Sequence, residues 1–297
     1  MAKAKSRTAS WLAYLPQAAL LGLFRALPAG PRGALASRVG RFAVNRVPRL
    51  RNRVENNLRL IFPEKDAAWR AGVRQEVGDN FGRTIIETMT IRDFQRRAPW
   101  TEPEGPGWQV MLDTLATGKG VFLVSGHFGQ WEAVRGLLLS RGMETGGIFR
   151  PIKNPFLNAD YTACLEAGGR PMVDRDAAGL REMIRHVRKG GMMSILMDQY
   201  TKRGAEIDFL GHPAPSGTMI AELAVKYDLP MIPAYATRRA DGSIRIEFEA
   251  PLARGTALEM TQAAADSLAA RVRATPGQWF WLHRRWVKEF PGENAGA

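Results

Sequence analysis

The residues best suited to chemistry lie in Val121-Phe-Leu-Val-Ser-Gly-His-Phe-Gly-Gln-Trp-Glu132, where an apolar run enters a glycine-flanked histidine and then a helical pattern. An imidazole has an ordinary pKa near neutrality, so His127 can take a proton from an alcohol. Gly126 and Gly129 allow a tight turn and let a substrate come close to the backbone. Glu132 falls in the first turn of the following helix, where the helix dipole favours a carboxylate. If the turn brings it back to His127, it orients the ring and stabilises the imidazolium. The plainer alternative is a loop histidine satisfied by backbone, followed by an ordinary helix-terminal acid. No G-x-S-x-G motif accompanies the segment, and Cys164 sits in a helical stretch without an adjacent base. Direct transfer, without a covalent enzyme intermediate, is therefore the simpler mechanism.

The elements that must position these residues follow from periodicity. Residues 121–125 read as a buried strand and 131–141 as a helix. Strands follow at 147–150, 192–197, 231–237 and 243–249, and helices at 176–189, 217–228 and 258–273. Strands alternating with helices predict an α/β fold: a mixed, mostly parallel sheet with helices on both faces. The turn at Asp241-Gly242 predicts that the last strand is an antiparallel edge. Polar groups at the carboxyl end of a strand in such a sheet lie where ligands bind. Upstream, Asp66 can cap a helix in which Trp69, Val73, Val77, Phe81 and Ile85 recur every four residues as one core face. Pro99, Pro103, Gly105, Pro106 and Gly107 mark a long turn rather than a linker.

The chain has 297 residues, 45% hydrophobic and 24% charged, which excludes a wholly disordered, collagen-like or polytopic membrane protein. Forty-two Lys and Arg against 29 Asp and Glu give a net charge of +13 and favour an anionic partner. The single cysteine excludes an internal disulfide and a multi-cysteine zinc site. Lys3, Lys5 and Arg7 precede an uncharged stretch, 8–24, that contains Trp11, Tyr14, Leu15, Leu20, Leu21, Leu23 and Phe24 and is closed by Arg25. That length is at the lower limit for a span, and a helix lying on a membrane surface fits it better than a span or a signal peptide, the plainer alternative being an ordinary core helix. Residues 1–30 are thus expected to be a membrane-associating segment and 31–297 a single α/β domain. Arginines are dense over 38–65, as either a solvated face or an anionic contact. The tail Trp279-Phe-Trp-Leu-His-Arg-Arg-Trp286 suits a lipid interface, stacking on single-stranded nucleic acid, or a core of tryptophans with arginines pointing out. His186 reads as part of a solvated helix face and His212 as a turn residue, and no histidine pair, His283 included, has metal-site spacing. Neither a metal nor a cofactor is expected.

The segment around His127 resembles the His-x4-Glu motif of the bacterial lipid A biosynthesis acyltransferases, the lauroyl and myristoyl group. The resemblance continues through Asn57-Leu-Arg-Leu-Ile-Phe-Pro-Glu64, Asn80-Phe-Gly-Arg83 with Glu87, and Phe149-Arg-Pro-Ile-Lys-Asn-Pro155. Further on it takes in Met197-Asp-Gln199, Phe209-Leu-Gly-His-Pro-Ala214 with Thr218, and Pro276-Gly-Gln-Trp-Phe-Trp-Leu-His-Arg-Arg-Trp286. Gln130 stands where Asn is common, and Tyr200 replaces a frequent acidic residue.

The resemblance implies a glycerolipid-acyltransferase-like fold and transfer of an acyl chain from acyl carrier protein, or coenzyme A, to a hydroxyl of a lipid A precursor. It makes His127 the base and Glu132 its orienting acid. Substrate-binding positions are then Gly126, Gly129, Arg150, Asp198, Gln199 and Thr218. Arg150 and a backbone N–H of the Gly126–Gly129 turn are expected to stabilise anionic charge, or Arg150 to grip a phosphate, with Asp198 organising Arg150 or a loop. The expected partners are the donor, a glycolipid acceptor and the anionic inner-membrane surface at its cytoplasmic face, with no nucleic acid. A spanning segment with a basic cytoplasmic N-terminus would put the domain away from the donor, which is a second reason to expect surface attachment. Other lipid acceptors (a phosphatidylinositol mannoside, a glycerolipid or an ornithine lipid) are the enzymatic alternative. A non-enzymatic basic protein binding membrane or nucleic acid is the alternative of a different class.

Overall fold

The structure is a computed structural model that describes residues 6–287, 289 and 290; Lys3 and Lys5 of the basic start lie outside the described residues. The chain opens with helices α1 (Arg7–Ala26), α2 (Ala29–Arg46), α3 (Pro48–Ile61), α4 (Ala67–Met89), α5 (Ile91–Arg97) and α6 (Pro106–Ala116). Asp66 caps α4 as its sequence position predicts, its carboxylate accepting from the N–H of Trp69 at 2.7 Å. Val73 and Val77 are buried, but Ile85, the last residue of the expected core row, is exposed. The reason is geometric. A step of four residues overshoots the helical repeat by about 40°, so the row has left the core within a few turns. Asn80, Thr84, Ile86 and Thr88 take the buried side there.

The second part holds the sheet. Its elements are β1 (Val121–Ser125), α7 (Glu132–Ser140), β2 (Thr145–Phe149), α8 (Pro155–Ala167), β3 (Met172–Asp174), α9 (Ala177–Arg188) and β4 (Met192–Leu196). They continue as β5 (Ala205–Phe209), β6 (His212–Ser216), α10 (Met219–Tyr227), β7 (Met231–Arg238), β8 (Ile244–Phe248) and α11 (Ala257–Ala274). The six-stranded sheet has the order β3-β2-β4-β1-β7-β8. The first five of these strands run parallel, and β8 is the antiparallel edge expected from the Asp241-Gly242 turn. Phe122 and Val124 of β1 face Met183, Val187, Ile220 and Met260 from α9, α10 and α11. Val121 and Leu123 face Met111, Val134 and Leu137 from α6 and α7 on the other side. Both faces are therefore covered, which is what a continuous apolar strand requires. The sequence reading contained no strand over 172–174 and no hairpin over 205–216; β5 and β6 form a separate antiparallel pair.

Helix α1 lies against α8. Tyr14 donates its hydroxyl to Asp160 at 2.6 Å, and Asn154 donates its amide to the Ser10 carbonyl at 2.8 Å. Leu21 and Phe24 are buried beneath it, while Trp11, Leu12, Leu15, Leu20 and Leu23 are exposed. No described helix is long and apolar enough to cross a membrane.

Candidate active site

Strands β1 and β4 are neighbours and pair Ser125 with Leu196, so the chains leaving their carboxyl ends run side by side. That register sets His127 against Asp198. The Asp198 side chain is fully buried and accepts three hydrogen bonds. Its Oδ1 accepts from His127 Nδ1 at 2.8 Å, and its Oδ2 from the His127 backbone N–H at 2.8 Å and from Trp279 Nε1 at 2.9 Å. Burial pushes the Asp198 carboxyl up, but the charge and hydrogen bonds of His127 outweigh it and hold the group well below the usual carboxylate range. An ionised carboxylate only accepts, so Nδ1 carries a proton, and in the neutral ring it is Nε2 that has the lone pair. Among the described residues Nε2 makes no hydrogen bond, and the ring edge lines a cavity. Gly126 makes room for this arrangement: a Cβ there would lie 2.4 Å from Leu268 Cδ2 and 3.1 Å from Asp198 Oδ2. Gly129 turns with φ +57°, and a Cβ would lie 1.9 Å from the Ala236 carbonyl.

Two expected contacts are corrected. Glu132 shares the cavity wall with His127, but no hydrogen bond joins them among the described residues. Its Oε2 accepts from Arg135 Nη1 at 2.7 Å, and Arg135 also donates to the carbonyls of Leu165 and Gly169. A partner three residues on in the same helix is always within reach, and the Nδ1 that Glu132 would have needed is already engaged by Asp198. Asp198, in turn, does not reach Arg150. Arg150 follows β2, is exposed, and stands on the wall of the same cavity. Gln199 lines the cavity, and its carbonyl accepts from Arg285 at 3.4 Å. Thr218 precedes α10 and donates its hydroxyl to Glu222 at 2.5 Å, outside the lining of the two cavities described below. Most of the backbone of the glycine turn is also committed. The N–H groups of His127, Phe128, Gly129 and Gln130 donate to Asp198, Gly126, Gln278 and Ala236 respectively, so these four are not left over for an anion.

His283 belongs to the site, and sequence reasoning did not place it there. Its ring meets the His127 ring edge-on with centroids 4.6 Å apart, and its Nε2 lies 3.7 Å from Asp198 Oδ2 without a hydrogen bond. Burial, reinforced by the neighbouring His127, lowers the His283 pKa to about 3 and keeps it neutral. The only sequence signal was its place in the aromatic tail block. That tail is core: Trp279, Trp281 and Trp286 are buried, but so is Arg285, against the expectation that its arginines point out. Arg285 donates to the Pro215 carbonyl and the Ser216 hydroxyl, which offset the loss of water around its charge. His186 and His212 are half-buried and engage the carbonyls of Met192 and Leu60. One ligand atom each from His127, Asp198 and His283 lie within 4.8 Å of one another, a grouping that sequence spacing cannot reveal. Both Asp198 oxygens there are already occupied by N–H donors.

The cavity beside His127 measures about 200 Å³ and includes Trp131, Glu132, Arg150 and Tyr161. Burial, with the Glu132 charge adding to it, pushes the Tyr161 phenol up to about 12, so it stays a neutral donor. A second cavity of about 330 Å³, lined mainly by apolar side chains such as Val173, Leu180, Met183 and Ile220, shares Ile148, Arg175, Leu196 and Gln199 with the first. An imidazole with a free Nε2 at a strand end therefore sits beside a polar cavity that shares part of its wall with an apolar one.

Known proteins supply the context. The chain is 24% identical to the lipid A biosynthesis acyltransferase of Haemophilus influenzae, over 92% of this chain and 89% of that protein. It is 23% identical to the phosphatidylinositol mannoside acyltransferase of Mycobacterium tuberculosis, over 59% of this chain and 57% of that one. With lipid A biosynthesis acyltransferase 1 of Shigella flexneri the figures are 26%, 64% and 58%. The match to the family itself runs over residues 2–288 and so takes in the histidine, its aspartate and both cavities: the chain belongs to the bacterial lipid A biosynthesis acyltransferases.

Proposed function

We propose that the protein moves a fatty acyl chain from a thioester, on acyl carrier protein or coenzyme A, to a hydroxyl of a lipid A precursor. The observation that carries this reading is the His127–Asp198 pair with a free Nε2 over a cavity that shares a wall with an apolar one. Nε2 takes the hydroxyl proton as the oxygen attacks the thioester carbonyl carbon. Asp198 stabilises the imidazolium and fixes its orientation. With the N–H groups of residues 127–130 committed, Arg150 stabilises the oxyanion, with the Tyr161 hydroxyl as a second donor on the same wall. Collapse breaks the carbon–sulfur bond, the thiolate takes the proton back from His127, and an ester and a thiol leave. The donor chain lies in the apolar cavity. Glu132 holds Arg135, and so the α7–α8 wall, in place.

Lipid A is favoured over a mannoside acceptor because the similarity to a lipid A enzyme extends over almost the whole chain, whereas that to the mannoside enzymes covers little more than half. The exposed apolar face of α1 and the net charge of +13 suit attachment to an anionic inner-membrane surface at its cytoplasmic side. The test is incubation with lipid A precursor and a series of acyl donors, read by mass spectrometry. His127→Ala should lose transfer by roughly 10²–10⁴-fold or more while staying folded. Near-normal turnover by that variant would refute the assignment.

A further inference from the structure

Helix α8 separates two cavities. Tyr161 and Leu165 face the catalytic one, while Asp160, Cys164 and Ala167 face another, of about 400 Å³, bounded by the end of α1 and by α5. Four guanidinium groups, of Arg25, Arg32, Arg92 and Arg96, line this second space against the carboxylates of Asp93 and Asp160. The carboxylates are already used. Asp93 is bound by Arg32, Arg96 and Arg97, and Asp160 accepts the Tyr14 hydroxyl. Arg25 and Arg92 have no carboxylate partner among the described residues, and both are exposed at the rim. Arg25 is also the first charge after the apolar stretch of α1, so the pocket opens where that exposed apolar face ends.

We propose that this pocket binds the phosphate of an anionic lipid headgroup, held by the Arg25 and Arg92 guanidinium groups, while the apolar face of α1 lies among the acyl chains. Planar guanidinium forks match phosphate oxygens in pairs. The buried Arg32, paired with the partly exposed Asp93, lies at the floor of the site, so Arg25 and Arg92, which have no carboxylate partner among the described residues, set its charge. This goes beyond acyl transfer. It rests on the reading that α1 meets lipid, and not on the role of His127.

The full chain is tested by co-sedimentation with neutral phosphatidylcholine vesicles, alone or carrying phosphatidic acid, and with vesicles carrying phosphatidylserine at matched surface charge. Arg25→Gln/Arg92→Gln should weaken binding to phosphatidic acid vesicles about tenfold or more and abolish any preference over phosphatidylserine. Arg38→Gln/Arg46→Gln removes the same charge from the exposed face of α2 outside the pocket and should keep that preference. Equal losses in the two double variants, or no preference for phosphatidic acid in the unaltered protein, would overturn the site. Displacement by millimolar inorganic phosphate with no need for vesicles would assign the pocket to free phosphate and overturn the lipid assignment. Failure of the unaltered protein to bind any vesicle would overturn both this site and the membrane role of α1. Transfer to a detergent-dispersed acceptor, measured in parallel, reads the catalytic proposal separately.

Discussion

Replacing Asp198 with Asn changes one atom and should reverse the chemistry of His127. The Oδ2 position receives two N–H donors, from the His127 backbone and from Trp279. An amide can satisfy both only by placing its oxygen there, which turns its NH₂ towards His127 Nδ1. Nδ1 must then accept, so the proton moves to Nε2 and the lone pair that faced the cavity is lost. The negative charge that steadied the imidazolium disappears in the same step. A carboxylate-to-amide change with this tautomeric consequence costs about 10⁴ in turnover, or about 5 kcal/mol of transition-state stabilisation. The assay is the initial rate of ester formation at neutral pH, below the melting temperature of the variant, with circular dichroism to confirm the fold. An Asp198→Asn enzyme within tenfold of the parent would refute the tautomer argument and the pairing on which it rests.

Glu132→Gln strands the buried Arg135 guanidinium and should cost about 3–5 kcal/mol in denaturant unfolding, while lowering transfer less than Asp198→Asn; the opposite pattern would place Glu132 in the reaction. His283 is neutral when folded, with its pKa lowered to about 3, and ordinary when unfolded, so the unfolded chain takes up the extra proton as pH falls below about 6.5. Stability should therefore decline from pH 6.5 towards 4, and His283→Gln should flatten the plot of melting temperature against pH over that range; an unchanged slope would exclude His283 as its source. Leu180→Trp, which intrudes on the apolar cavity, should shift donor preference towards shorter acyl chains in the mass-spectrometric assay, and an unchanged chain-length profile would remove that cavity from the donor path.

His127 was legible because its signal is local: an apolar strand, two glycines and a helix start lie within twelve residues. Five of the six strands of the sheet were legible for the same reason, since their signals are local, whereas the three-residue β3 carries too short a run to be read. The partners of His127 were not. Asp198 lies 71 residues away and meets it only because β4 inserts between β2 and β1, an order that periodicity does not encode. Glu132, in the correct helix turn, invited the wrong pairing, and Arg135 three residues later was the competing partner. The β5–β6 hairpin escaped notice because Pro213 and Pro215 fall inside β6, where proline ordinarily argues against a strand.

Asp198 grips His127 twice, once by its ring and once by its main chain. Side chain and backbone of the histidine are thereby clamped to a single carboxylate two residues beyond the adjacent strand, so the aim of the imidazole depends on the alignment of the two strands from which both residues emerge. A slip of β4 by one position would send that carboxylate to the opposite face of the sheet. Partly unfolded or misregistered molecules would thus lack the clamp that aims the imidazole.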